Sequence, residues 1–305
     1  MNIKKILLFS LLVFIIPFLI VNLFIRDDEI TFNFNSNSTV RVYREEKGVI
    51  VNVPIEKYVV GVVSGEVPIS FEKEALKAQA VAARTYVMKK IEQNIKNDYD
   101  VVDTVTNQVY CSEEDLKEKW GNDYTNNINK VRQVVLETSG EYLTYDDKVI
   151  EAFFFSTSVG KTENVEEVFT EKLPYLRSVD SHYDLISPVY NDSVEMSKIE
   201  FFNLLELAYN DQIDVNIIDT TSTGRVKNLK INNNKFTGKE VASKLKLRSS
   251  YFKIIDNKDS VKIETKGFGH GVGMSQYGAQ GMALEGYKYD EILKHYYSGV
   301  EIKKF

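Results

Sequence analysis

Among the many acids of this chain, Glu66 has the neighbours that catalysis needs. It occupies a short elbow, Gly65–Glu66–Val67–Pro68, between two stretches of helical periodicity. A carboxyl just past a helix C-terminus meets the negative end of the dipole, which disfavours its ionised form. Burial acts the same way, towards a raised pKa suited to giving and taking a proton, while the next helix's N-terminus opposes it. The competing reading is a cap or an ion pair, with Arg84 as partner. A second chemical feature is His270, set among Gly267, Gly269, Gly271 and Gly273 and followed by Met274, Ser275 and Gln276. Alternating glycines permit unusual dihedrals and close approach of a ligand or another segment. The third is a polar run, Ser156, Thr157, Ser158, Lys161 and Glu163. Gly160–Lys161–Thr162 superficially matches the end of a phosphate loop, but Phe155 stands where that motif needs glycine. A dinucleotide fingerprint at 267 fails in the same way, on Val272.

The elements that position these residues follow from patterning. Pro54 suits a first helical turn, and Ile55, Val59, Val62 and Val63 share one helical face, which Gly65 ends as a left-handed residue. Pro68 breaks the chain, Ser70 caps a new helix, and Glu72 and Glu74 fall in its first turn. Leu76, Ala80, Ala83 and Val87 form its apolar stripe, with Ala75, Ala78 and Ala82 keeping the adjacent face thin for a close neighbour. Strands are expected over 40–53, from Asp98, and over 149–155, 225–231, 251–255 and 260–266. Helices are expected over 126–142 (ended by Gly140), 197–209, 237–245 and 274–284, with a last helix and short strand closing the chain. The fold class is α+β, a helical layer packed on mainly antiparallel sheet, with a groove between the segments of Glu66 and His270.

Composition sets limits on function. The 305 residues are 43% hydrophobic and 27% charged, ordinary for a globular protein. A net charge of −6 argues against a general nucleic-acid binder. Cys111 is the sole cysteine, so neither an intrachain disulfide nor a multi-cysteine zinc site can form, and it reads as a core residue; no metal and no cofactor are expected. His182 and His295 lack a motif and read as structural. Lys4 and Lys5 precede an uncharged apolar run over 6–25, and Arg26, Asp27, Asp28 and Glu29 follow it. That length crosses a bilayer, no A-x-A-like cleavage site follows, and the flanks place the N-terminus in the cytoplasm and the remainder outside. The organisation expected is a cytoplasmic tip (1–5), a transmembrane anchor (6–25), a linker (26–39) and one extracytoplasmic domain (40–305) with a sub-lobe around 190–265.

The run VPIEKYVVGVVSGEVPISFEKEALKAQAVAARTYV around Glu66 resembles the first signature of the stage II sporulation protein D family, which includes amidase enhancers. GFGHGVGMSQYGAQGMA over 267–283 resembles its second signature, and EAFFFSTSVGKTE and PYLRSV resemble segments between them. Two departures stand out: Phe155 where a histidine is usual, and Val159 where a glycine is. The resemblance implies that Glu66 is the acid/base of a peptidoglycan lytic transglycosylase. Arg84, Ser156, Ser158, Lys161, Tyr175 and Arg177 become candidates to hold sugar hydroxyls or the muramic lactyl carboxylate, with His270 and Gln276 supporting the site. Capped turns and structural ion pairs are the competing readings for the hydroxyls and arginines. One carboxylate suffices for such a reaction, because the substrate's own C6 hydroxyl replaces the second carboxylate of a glycosidase. The implied partners are peptidoglycan strands stripped of peptide, a partner amidase and a membrane scaffold of engulfment. A non-catalytic wall-binding module that enhances an amidase, and a hydrolase, are the alternatives.

Overall fold

The structure, a computed structural model, describes residues 38–305, so the expected anchor and most of the linker lie outside the described residues. Among the described residues no helix is long and apolar enough to cross a membrane. The chain begins with a hairpin of β1 (Thr39–Arg44) and β2 (Val49–Pro54) and passes directly into α1 (Ile55–Glu66), with Pro54 as its N-cap. Then come α2 (Lys73–Gln93), β3 (Val101–Val102), α3 (Glu113–Trp120), α4 (Tyr124–Glu137), β4 (Glu141–Tyr145), β5 (Lys148–Val149) and β6 (Phe154–Phe155). A second stretch holds β7 (Asn191–Ser197), α5 (Lys198–Leu204), β8 (Val215–Thr220), β9 (Val226–Ile231), β10 (Asn234–Thr237), α6 (Gly238–Lys244), β11 (Phe252–Asp256) and β12 (Ser260–Lys266). The chain returns through β13 (Met274–Ser275), α7 (Gln276–Leu284), α8 (Tyr289–Tyr296) and β14 (Glu301–Lys304).

The class is α+β as expected, but the strands form several small sheets rather than one. Their orders are β2-β1-β3, β10-β9-β8, β11-β12-β7, β13-β6 and β14-β4-β5. Pairings are antiparallel except β1 with β3 and β6 with β13. The centre is helical instead: α2 packs against α1, α4, α7, α8 and β4. Its composition permits this, since Ala75, Ala78, Ala80, Ala82 and Ala83 are all buried and offer no bulk to hold neighbours away. One core joins α1, α2, α4, α7 and α8, and a smaller one lies between α1, α2 and the first hairpin. A separate core, from Met196 to Ile263, belongs to the second stretch and falls within 190–265.

Several local expectations need correcting. Gly65 does not end α1 in a left-handed conformation; it lies inside the helix, where a Cβ would come 2.4 Å from the Val109 carbonyl oxygen. Close approach, not dihedral freedom, demands glycine there. The cap of α2 is Glu72, not Ser70, and makes no side-chain cap hydrogen bond. The helix expected to reach 142 stops at Glu137; Gly140 does adopt φ +75°, but it launches β4. Leu136, near the end of α4, is exposed.

Candidate active site

Glu66 is the last residue of α1 and is partly buried. Its Oε1 accepts the Val109 backbone N–H at 2.6 Å, and its Oε2 accepts from Gln276 Nε2 at 3.4 Å. Burial pushes the carboxyl above the usual carboxylate range, against the two donors, which favour the ionised form. The Gln276 contact joins two segments far apart in sequence, at the end of one helix and the start of another. One turn along α7, Gln280 accepts the Glu72 backbone N–H at 2.6 Å, so α7 also grips the start of α2.

A buried acid that the sequence did not single out sets the start of α7. Asp184 accepts four hydrogen bonds, from the Ser158 backbone N–H and from the hydroxyls of Ser158, Ser181 and Ser275. Ser275 is the N-cap of α7, its Oγ accepting the Gly278 N–H, and Gln276 follows it directly. Burial raises the Asp184 pKa, opposed by those four donors. Ser158 is fully buried and spends its hydroxyl on Asp184, which is the capped-turn alternative. Ser156 is partly buried; its carbonyl accepts from Tyr277 N–H and Ser275 Oγ, and its hydroxyl meets Thr157 Oγ1.

The glycine-rich loop carries φ of +72°, +98°, +87° and +80° at Gly267, Gly269, Gly271 and Gly273. These left-handed positions bring His270 into an aromatic box, 5.6 Å from the Phe155 and Phe169 rings and 6.1 Å from Phe153, between ring centroids. Its Nδ1 accepts the Val272 N–H at 3.1 Å, and a backbone hydrogen bond ties the ring to Phe154. Burial, with the Arg225 charge adding to it, pulls the imidazole down to about 4, so it is neutral at working pH. Phe155, the departure at a histidine position, is one wall of this box. Below the loop, Glu163 donates its backbone N–H to the Gly271 carbonyl at 2.7 Å and is fully buried. Its carboxylate is 3.1 Å from the equally buried Arg225, which donates to the Gly269 carbonyl at 2.9 Å. Glu163 is therefore a clamp on the loop, not a group offered to sugar hydroxyls.

The other candidates are distributed differently. Arg84 is fully buried, donating to both Glu56 oxygens at 2.8 and 2.6 Å and to the Glu141 carbonyl at 2.9 Å, so the ion-pair alternative describes it. Tyr175 is also a core residue; its hydroxyl accepts the Glu151 N–H at 3.1 Å, and its ring packs on Tyr145. Arg177 is bidentate to Glu166 at 2.8 and 2.6 Å. Lys161 is exposed, beside a bridge to Asp180. His182 pairs with Asp180 on the surface, and His295 Nε2 meets the Asp180 carbonyl at 2.7 Å.

A cavity of about 820 Å³ is lined by His270 and its aromatic box, and neither Glu66 nor Val109 nor Gln276 is among its lining residues. Tyr86 and Asn107 line it, with Asn107 Nδ2 donating to the Tyr86 hydroxyl at 3.1 Å, two residues from the Val109 donor to Glu66. The Tyr86 hydroxyl is raised to about 12, mainly by burial, with the Glu66 charge contributing. Phe153, Phe169, Arg225 and His270 continue the wall. Among the described residues the one acid lining it is Glu167, whose oxygens accept from Ser222 N–H and Oγ at 3.0 and 2.6 Å. Val109 and Asp184 are the functional positions that residue reading missed. One acts through its backbone, and the other carries no motif.

Comparison with known proteins places these features in a family context. Residues 43–145 match the family described as Stage II sporulation protein. The chain is 44% identical to Stage II sporulation protein D of Bacillus amyloliquefaciens, over 87% of this chain and 79% of that one. It is 41% identical to Stage II sporulation protein D of Bacillus subtilis (strain 168), with the same coverage. An amidase enhancer of Bacillus subtilis (strain 168) is 29% identical over 80% of this chain and 40% of that protein.

Proposed function

Because the chain belongs to the stage II sporulation protein D family, we propose that it is a lytic transglycosylase of peptidoglycan. In this reading it is anchored by residues 6–25 and cuts peptide-stripped glycan strands outside the cytoplasmic membrane during engulfment. A partner amidase and a membrane scaffold belong to the same proposal. The observation that carries it is the Glu66 carboxyl of the first signature, raised in pKa by burial and held by the Val109 N–H and by Gln276 of the second signature. A protonated Glu66 keeps its proton on Oε2, since Oε1 is occupied by the Val109 N–H at 2.6 Å. The longer Gln276 contact, 3.4 Å, yields to a glycosidic oxygen at that position. Donation to the bridge oxygen breaks the bond to C1 of muramic acid. The carboxylate left behind is stabilised by Val109 and Gln276 and takes the C6 hydroxyl proton as O6 closes on C1, giving a 1,6-anhydro end. One carboxyl thus serves as acid and then base. Glu167 being occupied by Ser222 supports that economy over a two-carboxylate hydrolase.

The enhancer reading has its own support: His270 sits in an aromatic box with its Nδ1 taken up by the Val272 N–H, and one relative is named an amidase enhancer. Mass spectrometry of peptide-free strands incubated with the protein and with Glu66→Gln decides between them. Ends in 1,6-anhydro-muramic acid that vanish in the variant are expected. Reducing ends would mean a hydrolase, and intact strands that still bind would mean the enhancer module.

A further inference from the structure

The elbow after Glu66 is held from one side by the opening turns of α7. Gln276 Nε2 reaches Glu66 Oε2 at 3.4 Å, the Tyr277 ring packs edge-on against Phe71 at 5.1 Å between centroids, and Gln280 accepts the Glu72 N–H at 2.6 Å. These contacts bracket residues 66–72. The Gln276 contact is near the length at which such a bond is lost, so a small displacement of the helix start decides whether it exists. What fixes that start is the fully buried Asp184, in the 3₁₀ turn His182–Ile186.

The four donors to Asp184 are all neutral. Its Oδ1 accepts the Ser158 N–H at 2.9 Å and the Ser275 hydroxyl, which joins the chain just past β6 to the end of β13. Its Oδ2 accepts the hydroxyls of Ser158, at 2.7 Å, and of Ser181. A hydroxyl has a single proton. Ser275 gives that proton to Asp184, with the Ser156 carbonyl a more distant acceptor at 3.3 Å, so its lone pairs face the Gly278 N–H that it caps. Ser181 also gives its proton to Asp184, which makes Tyr296 the donor in their 2.7 Å contact. Glycine lets the helix lie against this network. A Cβ on Gly278 would stand 2.0 Å from the Tyr296 hydroxyl and 2.8 Å from Asp184 Oδ2, and one on Gly281 would stand 2.4 Å from the Tyr183 carbonyl oxygen. We propose that Asp184 is a positioning residue for Glu66: by orienting the Ser275 hydroxyl it sets the first turn of α7, and with it the place of Gln276 on Glu66 Oε2. The proposal rests on the acid/base reading of Glu66 above and adds the residue that keeps its Gln276 partner in place.

The test follows the Glu66 side-chain carboxyl by carbon NMR against pH, in the full chain in detergent micelles, with the resonance assigned by its loss in Glu66→Gln. Ser275→Ala cuts the link and leaves Asp184 its other donors, whereas Asp184→Asn changes the network at its centre. A lost Gln276 donor disfavours the ionised carboxyl, so Ser275→Ala should move the midpoint up by about 0.5–1 pH unit. Asp184→Asn should move it the same way, and neither should move it further once Gln276→Leu is present. Tyr58 and Tyr86 feel the Glu66 charge and Tyr296 that of Asp184, but all three hydroxyls are held above the usual tyrosine range and stay protonated through the titration. An unmoved midpoint in a folded Ser275→Ala chain, or a shift that persists beside Gln276→Leu, overturns the proposal. So does a lowered midpoint in Asp184→Asn, which would mean that the Asp184 charge acts on Glu66 through space. In strand cleavage, kcat of Ser275→Ala should fall about tenfold with KM unchanged. A raised KM at constant kcat would put the effect on strand binding and overturn the positioning role. A raised midpoint in a chain whose parent cuts nothing would keep Asp184 as the residue that positions Glu66 and remove the transglycosylase reading.

Discussion

Replacing Gly65 with alanine should harm both the helix that ends at Glu66 and the carboxyl it presents. In an exposed helix interior the change is favourable by about 1 kcal/mol. Here the new Cβ meets the Val109 carbonyl oxygen at 2.4 Å, so backbone must retreat by 0.6 Å to reach even 3.0 Å. The segment that carries Val109 has little room to move. Next to it, buried Gln108 accepts from the Tyr58 hydroxyl at 3.0 Å, and Cys111 N–H donates to the Gly61 carbonyl at 3.3 Å. Overpacking against such a surface costs about 1–3 kcal/mol, enough to cancel the helical gain and leave the variant less stable. The same shift lengthens the 2.6 Å bond from Val109 N–H to Glu66. Bonds to charged groups contribute about 1.5–3 kcal/mol, so the ionised carboxylate loses support and its pKa rises further. Urea unfolding should show a net loss of up to about 2 kcal/mol. The pH–rate profile for the proposed strand cleavage should move its acid-dependent limb to higher pH. An alanine variant as stable as the parent, with an unmoved profile, would refute the reasoning.

Three further outcomes follow from buried charges. Glu66→Gln should gain stability relative to the parent as pH rises. The folded carboxyl binds its proton more tightly than the unfolded one, so the parent loses stability between the ordinary and the raised pKa; a ΔTm that is independent of pH would contradict this. His270 has the opposite sign. Its folded pKa of about 4 lies below the usual 6.5, so the stability of the neutral form is complete above 6.5 and drains away as pH falls towards 4, by at most about 3 kcal/mol. His270→Gln should remove that acid sensitivity, seen as a pH-dependent difference in unfolding free energy; a constant difference would count against it. Arg84→Met strands the buried Glu56 carboxylate and should cost about 3–5 kcal/mol by chemical denaturation, most of it recovered when Glu56→Leu is added. Near-neutrality of the single variant would mean the pair is not enclosed as described.

Much of the helical framework was legible because its signals are local. The stripe through Leu76, Ala80, Ala83 and Val87 and the alanines beside it marked a helix buried on several sides, and it is the centre of the fold. Thr237 was placed at the start of a helix and caps α6 with Glu240 in a capping box. Strand positions in the second stretch were also close, since β12 spans Ser260–Lys266 as read. How the strands combine was not legible, because pairing joins residues whose sequence distance carries no pattern; β6 finds its partner in β13.

What the sequence by itself determined is the set of reactive groups and their local frames. Glu66 falls in an elbow just past a helical pattern, His270 in a loop whose glycines permit unusual backbone dihedrals, and no second carboxyl stands in a comparable motif. Only the tertiary structure decided which candidates are free to act. It enclosed Arg84 with Glu56, spent Ser158 on Asp184, sealed Glu163 under Gly271, and set Val109 and Gln276 on the two oxygens of Glu66. The physical reason is that a side chain's chemistry depends on burial and on its hydrogen-bond partners. Residue type and spacing fix neither when the partner is a backbone group, an acid 26 or 28 residues away, or an amide 210 residues away.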